Sequence, residues 1–223
     1  MTMDEVVRRI GEIGIVPVVR AASSADAIRA VRAIRLGGIP IVEITMTVPD
    51  ALSVIRDVVR ECAGEVLVGA GTVLSAEQAK LCIDAGAEFL VSPGLAEPVL
   101  SVARACGKVA IPGALTPTEL MNAQTCGAKL IKIFPCGNLG GPKYLKALRG
   151  PFPDAALIPT GGVNASNASE FILAGAFALG VGGELVDATA LREGNLAKIT
   201  ESARELVRAI QSARAQSLVR NSH

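Results

Sequence analysis

The chain has 223 residues, of which 50% are hydrophobic and 19% charged, with a mean hydropathy of +0.45; this is ample apolar surface for a core and excludes a disordered chain. The length favours one large domain over residues 1–223, a size at which α/β barrels are common. Twenty-two Lys and Arg against 21 Asp and Glu leave a formal charge of +1, and aromatics are 3%, so neither the basic footprint nor the stacking platforms of a nucleic-acid partner are expected.

The chain opens with Asp4 and Glu5 where an export signal needs positive charge, and no apolar run approaches the ~18–20 residues that span a bilayer. A cytoplasmic protein with no membrane partner is therefore expected. Residues 3–13 read as a leading helix. Eight short β-branched runs then alternate with stretches of helical period. The first strand is predicted over 15–19, followed by a helix over 24–36, a strand over 39–44 and a helix over 49–62. A strand over 66–69 and a helix over 76–85 come next, then strands over 88–91 and 109–111. A helix over 118–126 precedes strands over 130–134 and 156–159, a helix near 166–174 and a last strand over 178–181. A closing helix over 195–214 gives way to a polar tail from about residue 215, which ends at His223. Successive strands recur at roughly 20–26 residues, the length of one strand–helix unit. An α/β (β/α)8 TIM barrel with an extra N-terminal helix fits best. An open doubly wound sheet is the alternative, but no Gly-x-Gly-x-x-Gly follows the first strand, and Gly69-Ala70-Gly71 is only a fragment of one.

The five cysteines, Cys62, Cys82, Cys106, Cys126 and Cys136, stand apart and are odd in number, which suits neither a zinc site nor a disulfide framework and points to a reducing compartment. The single histidine lies in the tail, so no metal is expected.

In a barrel, working residues gather at the carboxyl ends of strands. Lys132 interrupts Leu130-Ile131-Lys132-Ile133-Phe134, a strand otherwise wholly apolar. Alternation puts Leu130, Lys132 and Phe134 on one face. If Ile131 and Ile133 meet the outer helices, the lysine points inward, where loss of water favours the uncharged, nucleophilic amine. Glu43 is likewise a lone charge in its strand and shares a face with Ile41 and Thr45. One reading is a structural pair in which each charge compensates the other's burial; the other is a Schiff-base lysine with an acid that shuttles protons, directly or through water. Pro159-Thr160-Gly161-Gly162-Val163-Asn164 ends the seventh predicted strand and Gly180-Val181-Gly182-Gly183 the eighth. Glycines there allow close approach to an anion at the usual phosphate position of such barrels. Tyr144, with Lys143 and Lys146, reads as an exposed helix start, and Cys136 as a packing residue near the pocket mouth rather than a reactive thiol.

These residues resemble the class I 2-dehydro-3-deoxy-6-phosphogluconate (KDPG) aldolases, some of which also cleave 4-hydroxy-2-oxoglutarate (KHG). The resemblance runs in order through Val42-Glu43-Ile44-Thr45, Gly69-Ala70-Gly71-Thr72-Val73, Val91-Ser92-Pro93-Gly94, Ile111-Pro112-Gly113, Thr116-Pro117-Thr118-Glu119-Leu120, Lys132-Ile133-Phe134-Pro135, Gly150-Pro151-Phe152 and Pro159-Thr160-Gly161-Gly162-Val163. It implies Lys132 as the Schiff-base lysine and Glu43 as general acid/base. It also implies Thr72 and Pro93 lining the pyruvate half of the pocket, Phe134 packing beside the imine, and Gly161 and Gly162 presenting backbone N–H groups to the phosphate; Thr160, Gly182 and Gly183, at the same two strand ends, are expected to join them in binding substrate. The implied substrate is a 2-oxo sugar acid phosphate, cleaved to pyruvate and glyceraldehyde 3-phosphate without a cofactor, and the implied assembly is a homotrimer. Two positions depart from the family. Thr47 stands where many members carry a carboxylate-binding Arg, which makes Arg20, just past the first strand, the replacement. Gly183, followed by Glu184, stands where many carry a Ser for the phosphate. The galactonate epimer as substrate, a phosphosugar isomerase with an electrostatic Lys132, and a non-catalytic phosphosugar binder are the competing readings.

Overall fold

The computed structural model describes residues 1–221, with side chains through residue 217. Helix α1 (Met3–Ile13) leads, as expected. Thr2 and Glu5 close a capping box at its start, and Gly14 ends it at φ 77° by donating its N–H to the Ile10 carbonyl. Val6 and Ile10, one turn apart, face the core. Arg214 donates to the carbonyls of Gly11 and Glu12 and ties α1 to the closing helix.

Strands β1 (Ile15–Val19), β2 (Ile41–Thr45), β3 (Leu67–Gly71), β4 (Phe89–Val91) and β5 (Val109–Ile111) alternate with α2 (Ser24–Leu36), α3 (Ala51–Cys62), α4 (Ala76–Asp84) and α5 (Glu97–Ala105). After Pro112 come β6 (Gly113–Ala114), α6 (Pro117–Thr125), β7 (Ile131–Ile133) and α7 (Pro142–Arg149). β8 (Leu157–Pro159), α8 (Ala168–Leu173), β9 (Leu179–Val181), α9 (Ala188–Arg192) and α10 (Leu196–Asn221) complete the chain. Apolar runs form the strands because both sheet faces are covered: every residue of β1, β2 and β3 is buried.

All pairing is parallel, but the hydrogen-bonded ladders form two sheets, β5-β4-β3-β2-β1-β9 and β6-β7-β8, rather than the expected single closed ring. The split has local causes. Pro112 has no N–H to donate, so the stave that pairs with β4 before it pairs with β7 after it. Between β8 and β9 the ladder is reduced to the bridge Thr160↔Gly180. The polar tail expected from about residue 215 is also corrected, since α10 continues to Asn221. Its buried Ile199, Ala203, Leu206, Ile210 and Ala213 recur at helical spacing. His223 lies outside the described residues. No helix among the described residues is long and apolar enough to cross a membrane.

Candidate active site

Lys132 sits at the centre of β7 between two isoleucines that are fully packed into the core, so strand alternation turns its side chain to the opposite face. It is only 8% exposed. Glu43, at the centre of β2, is 3% exposed. A pocket of about 10 Å³, the space of one water, brings the two together, walled by Val16, Val91, Ile111, Ile158, Thr160 and Gly180. These walls come from both sheets, so strands of both meet around the two lone charges.

Glu43 and Lys132 do not form an ion pair within 4.0 Å, and Glu43 Oε1 is buried without a hydrogen-bond partner. Burial pushes the Glu43 carboxyl above its ordinary 4.5, an effect opposed by the charges of Lys132 and then Arg20. The carboxylate has this position because Gly71, at the end of β3, has no side chain. A Cβ there would lie 1.8 Å from Oε1. Likewise Gly180 leaves room for the Thr160 hydroxyl, which a Cβ would approach to 2.1 Å.

Above this pocket, a cavity of about 750 Å³ opens at the carboxyl ends of β1, β7, β8 and β9. It brings together Arg20, Lys132, Phe134, Thr160, Gly161, Gly162, Gly182 and Gly183, as the sequence suggested. The Lys132 Nζ lies 5.0 Å from the centroid of the Phe134 ring, whose partly exposed face shields it. Gly161 and Gly162 hold positive φ angles of 89° and 74°, and their N–H groups donate to no acceptor among the described residues. Their loop is fixed by Gly137 N–H to the Gly161 carbonyl at 2.9 Å and Asn167 Nδ2 to the Gly162 carbonyl at 2.8 Å.

Two expected residues lie outside this wall. Thr72, just beyond β3, is half-buried at φ 58°, a backbone conformation that a β-branched residue holds at a cost of about 1–3 kcal/mol. Pro93 is exposed, and its carbonyl packs where a Gly113 side chain would otherwise stand. Neither lines the cavity. Tyr144 is corrected too: it is half-buried, and its hydroxyl donates to the Leu115 carbonyl. Cys136 packs as expected, fully buried, with its thiol pushed up to about 11 by desolvation and so unreactive near neutrality.

Sequence reasoning missed Val186, Asp187, Ala188 and Thr189, which complete the cavity beside Glu184. The Asp-Ala-Thr run after a glycine-rich strand end carried a helix-cap signal, and Asp187 does cap α9 by accepting from Ala190 N–H at 2.7 Å. Thr45, placed by parity on the face of Glu43, was given no role of its own. Its buried hydroxyl donates to the Val19 carbonyl at 3.1 Å and meets the Thr47 hydroxyl at 2.8 Å, so Thr47 joins a polar link to the backbone next to Arg20. Among the described residues no group of three or more His, Cys, Asp or Glu is placed to hold a metal ion.

The arrangement offers a buried amine, a buried acid with a raised proton affinity and space for one water between them, beneath a cavity sized for a small polar substrate. Comparison with known proteins shows the family. The family model described as "KDPG and KHG aldolase" matches residues 6–202. The chain is 41% identical over 172 residues to the KHG/KDPG aldolase of Escherichia coli strain K12, covering 77% of this chain and 80% of that protein. It superposes on a KDPG aldolase from Legionella pneumophila, solved with pyruvate captured as a covalent carbinolamine intermediate, with a TM-score of 0.81 and 31% identity, covering 88% and 97% of the two chains. It also superposes, at a TM-score of 0.85 and 29% identity over 94% of this chain and 76% of the other, on a cage-shaped protein designed by fusing symmetric oligomeric domains.

Proposed function

The chain belongs to the KDPG and KHG aldolase family, and on that premise we propose that Lys132 and Glu43 carry out a Schiff-base cleavage of a 2-oxo-3-deoxy sugar acid. The Lys132 amine attacks the carbon 2 ketone, and Glu43 donates the proton with which water leaves. The protonated imine then draws electrons from the bond between carbons 3 and 4, while Glu43 takes the proton of the carbon 4 hydroxyl. An aldehyde departs; for KDPG it is glyceraldehyde 3-phosphate. Protonation and hydrolysis of the remaining enamine release pyruvate and the free lysine. No step calls on a cofactor.

The observation that carries this reading is the shared one-water pocket of Lys132 and Glu43. The two groups form no direct ion pair, and the pocket has about the space of one water, through which a proton would pass between amine and carboxyl. Arg20, exposed at the cavity mouth, supplies a forked cation for the substrate carboxylate in place of the missing charge at Thr47. Phe134 covers the imine on its open side. A pyruvate-release assay tests the assignment: Lys132→Ala is expected to abolish turnover while retaining the fold by circular dichroism, and retained turnover would refute it.

We also read the two sheets as one (β/α)8 ring within a single domain. β5 and β6 are separated only by Pro112, and Thr160↔Gly180 spans the other gap. Homotrimeric assembly is the expectation from the family, supported by the likeness to a cage built from symmetric oligomeric domains. Five free cysteines accord with a reducing, cytoplasmic setting.

A further inference from the structure

Of the chain's five phenylalanines and one tyrosine, only Phe134 is exposed, at 37%, among the described residues. A single exposed apolar ring is ordinary. Its placement is not: Phe134 follows β7 two residues after Lys132, so alternation sets the two side chains on one face, and Lys132 Nζ lies 5.0 Å from the ring centroid. Resting on the aldolase reading, we propose that Phe134 is a further catalytic residue, whose ring face stabilises the Lys132 nitrogen in the positive state that it acquires as the imine forms.

The ring is fixed in place from both sides. Phe134 N–H donates to the Ala114 carbonyl at 3.2 Å, and the ring edge packs on Gly161, where a Cβ would lie 3.4 Å from Cδ2. Nothing else is set against the nitrogen in this way. Among the described residues Lys132 Nζ forms neither an ion pair nor a hydrogen bond. Glu43 stands across a pocket of about 10 Å³, and Arg20, in the same cavity wall, brings a like charge. Any apolar side chain could keep water off the amine, but an electron-rich face turned toward a cation requires an aromatic ring.

The charge on this nitrogen changes in opposite senses at two steps. In the carbinolamine formed by attack on carbon 2 it is neutral. As the carbon–oxygen bond breaks, the nitrogen lone pair forms the carbon–nitrogen double bond, the hydroxyl takes the Glu43 proton and leaves as water, and the nitrogen becomes positive. An attraction that the ring face offers only to a cation grows along this step and lowers its barrier. In cleavage between carbons 3 and 4 the electrons of that bond return the nitrogen to neutrality, so the same face favours the imine over the enamine. Phe134 thus assists imine formation rather than cleavage, a distinction that packing beside the imine would not produce.

The test replaces Phe134 with phenylalanines of increasing ring-fluorine content, which keep the shape of the ring while withdrawing electrons from its face. Each full-length protein is incubated with pyruvate and limiting cyanoborohydride, which reduces the protonated imine, and the rate at which the adduct appears on Lys132 is followed by mass spectrometry. The rate is expected to fall stepwise with fluorine content, by about tenfold at the fully fluorinated ring, the scale of a desolvated cation–π contact. Phe134→Tyr, which keeps an electron-rich face, is expected to stay within about twofold of the parent. Phe134→Leu, an apolar cover without a face, is expected to match the fully fluorinated ring. A rate that stays constant across the fluorinated series would overturn the inference and leave the aldolase reading standing, with the ring as a cover alone. No adduct on Lys132 of the intact protein would overturn the aldolase reading and this inference with it.

Discussion

Glu43 carries its function at a measurable energetic cost. Because burial raises its pKa above 4.5, the folded protein binds the Glu43 proton more tightly than the unfolded chain does. The resulting stability is complete below pH 4.5 and is lost as pH rises through the higher folded value. Glu43→Gln removes this dependence, so thermal melts should place the variant above the parent protein near neutrality, with the gap closing toward pH 4.5. A variant that melts lower at neutral pH would mean that attraction to Lys132 outweighs desolvation. In the same variant pyruvate release should fall by about 10²–10⁴-fold, the usual contribution of a positioned acid/base. Both residues were legible because a lone charge in an apolar strand has one face to occupy, and parity selects it. The distances were not legible: sequence gives the face of a strand but not the span of the interior, so an ion pair and a water-linked pair look alike. Thr72 and Pro93 illustrate a second limit. Each follows a strand end, yet neither is among the residues that line the cavity, and a position after a strand end does not by itself fix which way a residue faces.

At the scale of elements, the site depends on glycines that clear space for side chains of neighbouring strands. Gly71 ends β3 beside Glu43, and a methyl group there would occupy the position of the carboxylate oxygen. Gly71→Ala should therefore lower kcat by tenfold or more, as an order of magnitude, with a stability loss of about 1–3 kcal/mol for overpacking; steady-state kinetics and denaturant titration read the two effects separately. An unchanged kcat would show that the orientation of Glu43 is not set by β3. The strand centres followed from β-branched runs, whereas their ends moved by one or two residues because the last ladder bonds depend on the neighbour's register. β6 escaped notice because two residues, Gly113 and Ala114, carry no alternation. The closing helix ran past residue 214 because Ala and Arg are good helix formers; polarity alone had suggested a tail.

For the molecule as a whole, alternation of strand and helix was legible from hydrophobic period, and the parallel pairing bears it out. Assembly was not legible, because the apolar side chains left in water by one copy, such as Leu36, Leu74, Leu81 and Met121, are scattered among core-facing ones along the sequence. Light scattering on the purified chain is expected to give three times the 22.9 kDa of one copy, and a monomer mass would contradict the trimer. The whole account rests on a covalent bond between one amine and a 2-oxo acid. Incubating the intact protein with pyruvate and borohydride, followed by peptide mass analysis, tests this most directly. The expected result is a single reduced adduct on Lys132. An unmodified Lys132 in protein that still releases pyruvate from substrate would contradict it.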